Sequence, residues 1–209
     1  MKSFREEVIS LLGREGFERV SSARIGIAGA GGLGSNCAMN LVRSGFNDIL
    51  IVDHDVVEVS NLTRQFYFRD QVGKNKVDAL KENLLLIDPD LDIKCEKTRL
   101  SADNITDIFA DREVVVEALD KAEEKSMLVS EFASSDKFVV SVSGIAGYGR
   151  SDEIKLRRIG TNLVMIGDML SDVREEHPFS PRVNIAAAKQ ADVVLEYVLS
   201  DRYGTPGRS

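Results

Sequence analysis

Apolar and polar positions follow two different periods along this chain, and stretches of the two kinds alternate in a regular order. Short apolar runs bounded by turn residues are typical of buried strands, whereas apolar residues three and four apart are typical of helices that pack on a sheet. The runs predict strands at Arg24–Ala28, Asp48–Asp53, Asp92–Thr98, Val114–Leu119 and Lys137–Val142. Strands and helices that alternate at this spacing predict an α/β, Rossmann-like fold, a mostly parallel sheet with helices on both faces.

The pattern changes after residue 142. Glu153–Arg158 and Asn162–Gly167 have the composition of two strands joined by a short turn, which predicts an antiparallel extension at one edge of the sheet. A polar loop with two prolines covers residues 168–182, and an Ala-rich helix is predicted over Asn184–Leu199. The C-terminal part of the chain therefore extends the parallel sheet instead of forming a second one.

Length and composition describe an ordinary globular chain that buries a substantial core, with 209 residues, 43% hydrophobic and 29% charged. No repeat, low-complexity tract or linker divides it, so we expect one domain over residues 1–209. Its N-terminal helical segment lies within residues 1–20, where the first helix is predicted to end at Gly13. Residues 203–209 are expected to form a loose tail.

Charge and cysteine usage exclude several classes of protein. The net charge of −7 and pI near 5.0 argue against a general nucleic-acid-binding protein. The two cysteines form no CxxC pair and only two histidines accompany them, so no zinc site is expected. No segment has the length and apolarity of a membrane span, and no signal peptide is visible. We therefore expect a cytoplasmic location.

A glycine-rich segment, GAGGLG at residues 29–34, joins the first predicted strand to the next helix. Gly29, Gly31 and Gly34 match the GxGxxG pattern, in which glycines allow a tight turn and a phosphate approaches the helix N-terminus. Asp53 follows about 20 residues later, where a dinucleotide-binding protein has its ribose-binding acid. By itself this pattern favours a nicotinamide or flavin enzyme as much as any other nucleotide-binding protein.

Three further features favour ATP over a dinucleotide. The first is an additional glycine, Gly32. The second is the segment Asn61–Gln65 after the acid, followed by Lys74 and Lys76, and the third is Asp120 at the end of the fourth strand. ATP carries about four negative charges, and transfer of its phosphoryl or nucleotidyl groups is catalysed by cations and a metal ion. This set of residues has no use in hydride transfer.

Purely structural roles are alternatives for the same residues. Asp53 can cap the turn after its strand, and Asp120 can cap the helix that follows it. Arg64 and Lys76 can be solvated surface charges. Cys37 lies on the apolar face of its helix and is interpreted as core packing.

The motifs GAGGLGSN, DHDVVEVSNLTRQ, GKNK and VEALD, in this order, resemble the ThiF/MoeB superfamily of adenylating enzymes related to ubiquitin-activating enzymes. The resemblance covers roughly residues 20–145. It implies catalytic roles for Arg64, Lys76 and Asp120, with Asp120 binding Mg²⁺ and Asp53 binding the ribose. The positions predicted from the motifs to bind the nucleotide are Gly29, Gly31, Gly32, Gly34, Asp53, Asp55, Ser60, Asn61, Leu62, Thr63, Arg64, Gln65 and Lys76.

The resemblance also implies a reaction. Such enzymes use ATP and Mg²⁺ to adenylate the C-terminal glycine of a small ubiquitin-like sulfur carrier that ends in Gly-Gly, and they release pyrophosphate. The chain is most similar to short ThiF-type proteins of thiamine (thiazole) biosynthesis, and a homodimer is expected from the resemblance. Adenylation of another acyl substrate, such as a peptide C-terminus or a tRNA-linked threonylcarbamoyl group, is an alternative, as is a non-catalytic nucleotide-binding scaffold.

The chain departs from the superfamily pattern at several positions. Paired CxxC motifs are absent, and residues 143–182 contain no cysteine, so the expected chemistry ends at the acyl-adenylate. Lys121 replaces the usual Asn after the metal-binding acid. The arginine motif that completes the partner's site in family dimers is also missing, and Arg14 or Arg19 is only a conjectural substitute for it.

Overall fold

A seven-stranded sheet forms the centre of the structure, a computed structural model that describes residues 2–200. Its strands, numbered in chain order within that range, are β1 Arg24–Ala28, β2 Asp48–Val52, β3 Asp92–Glu96, β4 Val114–Glu117, β5 Phe138–Val142, β6 Lys155–Ile159 and β7 Leu163–Gly167. Their spatial order is β3-β2-β1-β4-β5-β7-β6. All neighbours pair in parallel except β6 and β7.

Helices cover both faces of the sheet, which confirms the predicted Rossmann-like fold. They are α1 Phe4–Ser22, α2 Gly32–Arg43, α3 Lys76–Leu85, α4 Ile105–Ile108, α5 Ala122–Phe132 and α6 Ser180–Leu199. The larger core cluster joins one sheet face to α2, α3 and α6, and the smaller cluster joins the other face to α4 and α5. Short 3₁₀ turns lie at Val59–Thr63, Arg69–Gln71 and Ser151–Glu153.

The strand order reverses between β1 and β4. From β1 the chain moves outward through β2 to β3, then returns and continues from β4 on the other side. The pairing aligns Ala28 of β1 with Val52 of β2 and with Glu117 of β4, so these three strands end at one level. In open α/β sheets ligands bind outside the carboxyl ends of the strands at such a reversal.

The predicted antiparallel extension is confirmed. β7 pairs in parallel with β5, and β6 pairs antiparallel with β7 at the outer edge. All five residues of β6 are exposed, because this strand has the core on neither face. Lysine and arginine along such an edge oppose pairing with other chains.

The first helical stretch ends at Gly13, as predicted, because Gly13 has a positive φ of 71° and a non-helical conformation. A second helical stretch follows this kink directly and continues to Ser22, so the two together form α1. The residues after the kink supply a core contact. Val20 is fully buried, and a side chain at Gly45 would meet both Val20 and Phe17.

The last loop is shorter than predicted, covering residues 168–179, because α6 begins at Ser180 and not at Asn184. Pro181 lies in the first turn of α6, where a helix tolerates proline since the first backbone N–H groups have no partner within the helix. The predicted tail from residue 203 lies outside the described residues. No helix in residues 2–200 is both long and apolar enough to cross a membrane.

We predict that Gly34→Ala destabilises the fold, whereas Gly31→Ala in the same loop does not. A Cβ at Gly34 would lie 1.8 Å from the carbonyl oxygen of Gly29, while one at Gly31 would meet only the Gln65 side chain, at 4.0 Å. Urea unfolding should show a loss of at least about 2 kcal/mol for Gly34→Ala and less than about 1 kcal/mol for Gly31→Ala. Equal stability of the two variants would contradict the role assigned to close packing.

Candidate functional site

Two clefts meet at the carboxyl ends of β1, β2 and β4, and Leu119 and Asp120 line both. The larger, about 290 Å³, is lined by Gly31, Gly32, Leu33, Arg64, Gln65, Ala118, Leu119, Asp120, Ala122, Lys125, Val142, Ser143, Gly144, Ile145, Ser171, Asp172, Val173, Pro178 and Val183. The smaller, about 210 Å³, is lined by Gly29, Val52, Asp53, His54, Asp55, Thr98, Arg99, Leu100, Leu119, Asp120, Lys121 and Glu124. The predicted residues that line a cleft are therefore divided between two neighbouring compartments.

The glycine loop leaves the N-terminus of α2 open towards the larger cleft. Gly31 caps the helix without a side-chain hydrogen bond, and no acidic residue lies in the first turn. The free N–H groups and the helix dipole there favour an anion. Gly34 has a packing role, since its Cα lies against the Gly29 carbonyl, and it lines neither cleft.

Asp53 holds the glycine loop and also lines the smaller cleft. One carboxylate oxygen accepts a hydrogen bond from the backbone N–H of Ala30 at 2.7 Å, and the other accepts one from Asp55 N–H at 2.8 Å. A carboxylate oxygen can accept a second hydrogen bond. Capping of the turn and binding of a ligand hydroxyl are therefore compatible roles for Asp53.

Lys76 is not a solvated surface charge. Its side chain is only 8% exposed, and its Nζ lies 2.9 Å from the Asp55 carboxylate, which is half exposed and lines the smaller cleft. Partial burial tends to raise the pKa of Asp55, but the hydrogen bond and charge of Lys76 lower it below its ordinary value. The Lys76–Asp55 pair therefore places an ionised carboxylate on the wall of the smaller cleft, with the buried positive charge of Lys76 behind it.

Arg64 lines the larger cleft and is loosely held. Its Nη1 donates only long hydrogen bonds, at 3.4 Å to the Ser60 carbonyl and 3.3 Å to Thr63 Oγ1. Its backbone is fixed instead, because Asn36 Nδ2 donates to the carbonyls of both Gly32 and Arg64. The guanidinium can thus turn to an anion while its main chain stays beside the glycine loop.

Other residues predicted to bind the nucleotide lie in the 3₁₀ turn Val59–Thr63, which precedes Arg64. Asn61 is buried and accepts a hydrogen bond from Glu58 N–H at 3.0 Å, and Leu62 packs against the core. Ser60, Asn61, Leu62 and Thr63 line neither of the two clefts. Their direct contact with a nucleotide stays a prediction.

Gln65 lines the larger cleft through part of its side chain. Its Oε1 is enclosed, with no exposure to the cleft and no donor among residues 2–200. A buried polar atom without a partner is costly, so this end of the side chain is a locally destabilising feature of the wall.

Leu119 and Asp120 line both clefts, and of these two residues only Asp120 is charged. It is exposed, and its carboxylate makes no hydrogen bond or ion pair with other residues in the described part of the chain. The cap of α5 is Lys121, without a side-chain bond, so the capping role considered for Asp120 is not seen. A free carboxylate beside an anion-binding loop fits Mg²⁺, which takes one or two carboxylates plus phosphate oxygens.

Sequence reasoning missed Glu117 and Lys125. Glu117 is fully buried at the end of β4, and Lys125, which lines the larger cleft, donates to both of its carboxylate oxygens at 3.0 and 3.1 Å. A signal was present in the sequence, because Glu117 directly continues the apolar run Val114–Val116 of a central strand, and a carboxylate buried there needs a counter-charge.

The loop at 168–179 forms the outer wall of the larger cleft through Ser171, Asp172, Val173 and Pro178. Its start is fixed by Asp168, which accepts hydrogen bonds from the N–H groups of Leu170 and Ser171 and pairs with the buried Arg182. Arg182 Nη1 also donates to the carbonyls of Gly149 and Arg150. One buried ion pair thus joins this loop to α6 and to the loop after β5.

Neither cysteine lines a cleft. Cys37 is fully buried, which raises the pKa of its thiol, and partial burial raises the pKa of Cys95 to about 11. Both are therefore protonated at neutral pH, and a thiol in that form is a poor nucleophile. The interpretation of Cys37 as core packing agrees with this burial.

The ThiF family model matches residues 4–158, and the chain belongs to the ThiF family. The adenylyltransferase and sulfurtransferase UBA4 of Candida glabrata is 34% identical over 143 residues, which are 68% of this chain and 33% of that protein. The sulfur carrier protein ThiS adenylyltransferase of Bacillus subtilis is 36% identical over 132 residues, 62% of this chain and 39% of that protein. The matched segment spans about a third or less of the length of the first curated relatives.

Solved structures share the whole fold at low identity. Escherichia coli tRNA N6-threonylcarbamoyladenosine dehydratase, TcdA, in complex with ATP aligns with a TM-score of 0.86 and 18% identity over 96% of each chain. Escherichia coli MccB aligns with a TM-score of 0.73 and 19% identity over 94% of this chain and 60% of that one. At these identities the likeness establishes the architecture alone.

We predict that Arg182→Met lowers the free energy of unfolding by about 3–5 kcal/mol, because it leaves the Asp168 carboxylate buried without a counter-charge. The matched control is Arg174→Met. That arginine is 86% exposed in its pair with Asp172, and such pairs contribute at most about 1 kcal/mol. Urea unfolding of both variants at neutral pH makes the comparison, and similar losses would contradict the assigned role.

The same ion pair predicts a pH dependence. Burial tends to raise the pKa of Asp168, but hydrogen bonds from the N–H groups of Ser171 and Leu170 and the charge of Arg182 lower it below its ordinary value. Stability from a carboxyl group with a lowered pKa is present above the unfolded-state value of about 4 and is lost as pH falls through the folded-state value. The stability gap between wild type and Asp168→Asn should therefore stay constant above about pH 5 and shrink as the pH falls below about 4, which unfolding curves at a series of pH values measure.

Proposed function

We propose that this chain is an ATP-dependent adenylyltransferase that activates the C-terminal glycine carboxylate of a small ubiquitin-like sulfur carrier protein. The observation that carries the proposal is the pair of clefts that meet at Asp120 beside an uncapped helix N-terminus. One compartment suits a nucleoside and the other suits phosphates together with a second substrate. Membership of the ThiF family supports the same reaction.

The smaller cleft is proposed to hold the adenosine. Asp53 at its wall would accept hydrogen bonds from the ribose hydroxyls, as acids at this position do in related folds. Leu100 and Leu119 supply apolar surface for the base. Both lie at the same sheet edge as the glycine loop, so a nucleoside bound there has its phosphates directed to the larger cleft.

The phosphates are proposed to lie over Gly31 and Gly32, where the helix N-terminus favours anions. Arg64 turns from its long contacts with Ser60 and Thr63 to the phosphate oxygens. Lys76 adds a fixed positive charge from behind Asp55. Together these groups offset charge that develops on the phosphoryl and pyrophosphate oxygens.

The carrier's C-terminal tail is proposed to enter the larger cleft between the loop after β5, at Ser143–Ile145, and the wall at Ser171–Val173. Ser143 and Gly144 on one side and Ser171 on the other are small, which leaves room for a Gly-Gly terminus. The ionised carboxylate attacks the α-phosphorus in line, and the bond from that phosphorus to the β-phosphate oxygen breaks. The products are an acyl-adenylate and pyrophosphate, so no proton transfer and no protein nucleophile are needed.

Asp120 would hold a Mg²⁺ ion, whose bound form supplies positive charge to the phosphates. Its carboxylate is suited to this because it is unengaged and lies at the junction of the clefts. Lys121, in the place of the superfamily's usual Asn, pairs with Glu124 at 3.5 Å and lines the smaller cleft. It therefore adds a positive charge near the proposed nucleoside, as does Arg99 in the same cleft.

A sulfur carrier is favoured as substrate because curated relatives with 34–36% identity are named for sulfur transfer or for a sulfur carrier. A role in thiamine (thiazole) biosynthesis and a homodimer remain predictions from the family resemblance. The fold match with TcdA, at 18% identity, is a likeness of architecture and carries no argument for the threonylcarbamoyl alternative. The net charge of −7 weighs against a tRNA substrate.

The proposal predicts carrier-dependent exchange of labelled pyrophosphate into ATP. Exchange should require a carrier ending in Gly-Gly and should disappear when its last glycine is removed, because the attacking carboxylate then no longer reaches the α-phosphorus. Exchange that needs no carrier, or AMP release that depends on threonylcarbamoyl-modified tRNA instead, would overturn it. ATP binding without any turnover would identify a scaffold.

We predict that Arg64→Ala lowers the exchange rate by about 10²–10³, the usual effect of removing one electrostatic donor from an active site. Lys76→Ala should have a similar effect on exchange. Arg69→Ala is the matched control, because Arg69 is an exposed cation five residues further along the same loop and lines neither cleft. Near-normal exchange by Arg64→Ala would remove its assigned role.

A further inference from the structure

A buried carboxylate lies directly beneath the larger cleft. Glu117, the last residue of β4, is fully buried and accepts four hydrogen bonds. Its Oε1 accepts from Leu119 N–H at 2.7 Å and from Lys125 Nζ at 3.0 Å. Its Oε2 accepts from Ser141 Oγ at 2.7 Å and from Lys125 Nζ at 3.1 Å.

The ammonium group of Lys125 donates hydrogen bonds to both oxygens of this carboxylate. Lys125 lies in the first turn of α5, its side chain is 23% exposed, and its Nζ also donates to the Val142 carbonyl at 3.2 Å. An ammonium group has three donors, and three acceptors surround this one, two of them on Glu117. Lys125 is therefore held in place by the protein although it lines the cleft, and its charge neutralises Glu117.

The carboxylate fixes the turn that carries Asp120. Leu119, which donates to Glu117, immediately precedes Asp120 in the chain, and α5 begins at Ala122. Asp120 itself makes no side-chain hydrogen bond within residues 2–200. The position from which its side chain extends is thus set by the backbone of the turn, and Glu117 is the acceptor that restrains that backbone.

We propose that Glu117 and Lys125 are positioning residues that hold Asp120 at the junction of the two clefts, where it meets the metal–nucleotide complex. This inference rests on the proposed function for its catalytic consequence. Its structural part, restraint of the Leu119–Asp120 turn, stands without any ligand. Loss of Lys125 leaves the Glu117 carboxylate buried without its counter-charge, so the carboxylate shifts and its hydrogen bond from Leu119 N–H weakens.

The ligand-free test is amide hydrogen exchange at Leu119. Lys125→Met and Glu117→Gln should increase the exchange rate of this N–H by at least about tenfold relative to amides of β4, which report global stability. Ser141→Ala is the matched control, because it removes a hydrogen bond from the same carboxylate without a contact to the turn. Unchanged protection of Leu119 in Lys125→Met, or an equal loss in Ser141→Ala, would overturn the inference.

The second test is the gain in ATP affinity caused by metal, measured by calorimetry as the ratio of Kd in excess EDTA to Kd in excess MgCl₂. Lys125→Met should reduce this ratio by about 10–100-fold, as loss of residues that orient a metal ligand does elsewhere, with Kd in EDTA little changed. Lys125→Arg should restore much of the ratio, since a guanidinium also pairs with a carboxylate. A purely structural pair would instead weaken both affinities together.

These measurements separate the two proposals. If the wild-type chain binds no ATP but Leu119 protection follows Glu117 and Lys125, the proposed function fails and the positioning of the turn stands. If wild type binds ATP with a metal-dependent gain that Lys125→Met retains, the positioning role fails and the proposed function stands. Should Lys125→Met not fold, Lys125→Arg and Glu117→Gln carry both measurements.

Discussion

Where the chain leaves the carboxyl edge of a parallel sheet, its backbone N–H groups no longer pair with a neighbouring strand and need other acceptors. In this protein two carboxylates supply them. Asp53, just after β2, accepts from Ala30 and Asp55, and Glu117, at the end of β4, accepts from Leu119. This edge is acidic as a result, and lysines are needed beside it, the buried Lys76 at Asp55 and the partly buried Lys125 at Glu117. The ligand-facing groups are arranged on that framework of alternating charges.

Hydrophobic periodicity was sufficient for the architecture because each strand of this sheet is a short apolar run and each crossover helix has one apolar face. It was insufficient at the ends of two elements. A second helical stretch follows Gly13, and its Val20 is buried in the core by contacts with segments distant in the chain, which no local pattern shows. The helix α6 begins at Ser180, before the predicted Asn184, because proline is tolerated in its first turn.

The candidate site was partly predictable for a similar reason. Glycine spacing and the acid after β2 identified which loops meet, and the fold brings Gly31, Gly32, Asp53, Arg64 and Asp120 to the two clefts. The sequence motif did not distinguish residues that line a cleft from residues that support it, such as Gly34, which is packed on a carbonyl, and Asn61, which bonds its own turn. The outer wall at 171–178 was missed because it contains no motif, only a position in the fold.

That wall determines which part of the larger cleft can vary in sequence without a change to the rest of the site. It is a surface loop between β7 and α6, joined to the body by the Asp168–Arg182 pair, and it makes no contribution to the smaller cleft. Under the proposed function, insertions or replacements inside the loop would reshape the opening for the acyl substrate while the nucleoside cleft is left intact. Grafting this loop between homologues should then change which carboxylate is activated without a loss of nucleoside binding.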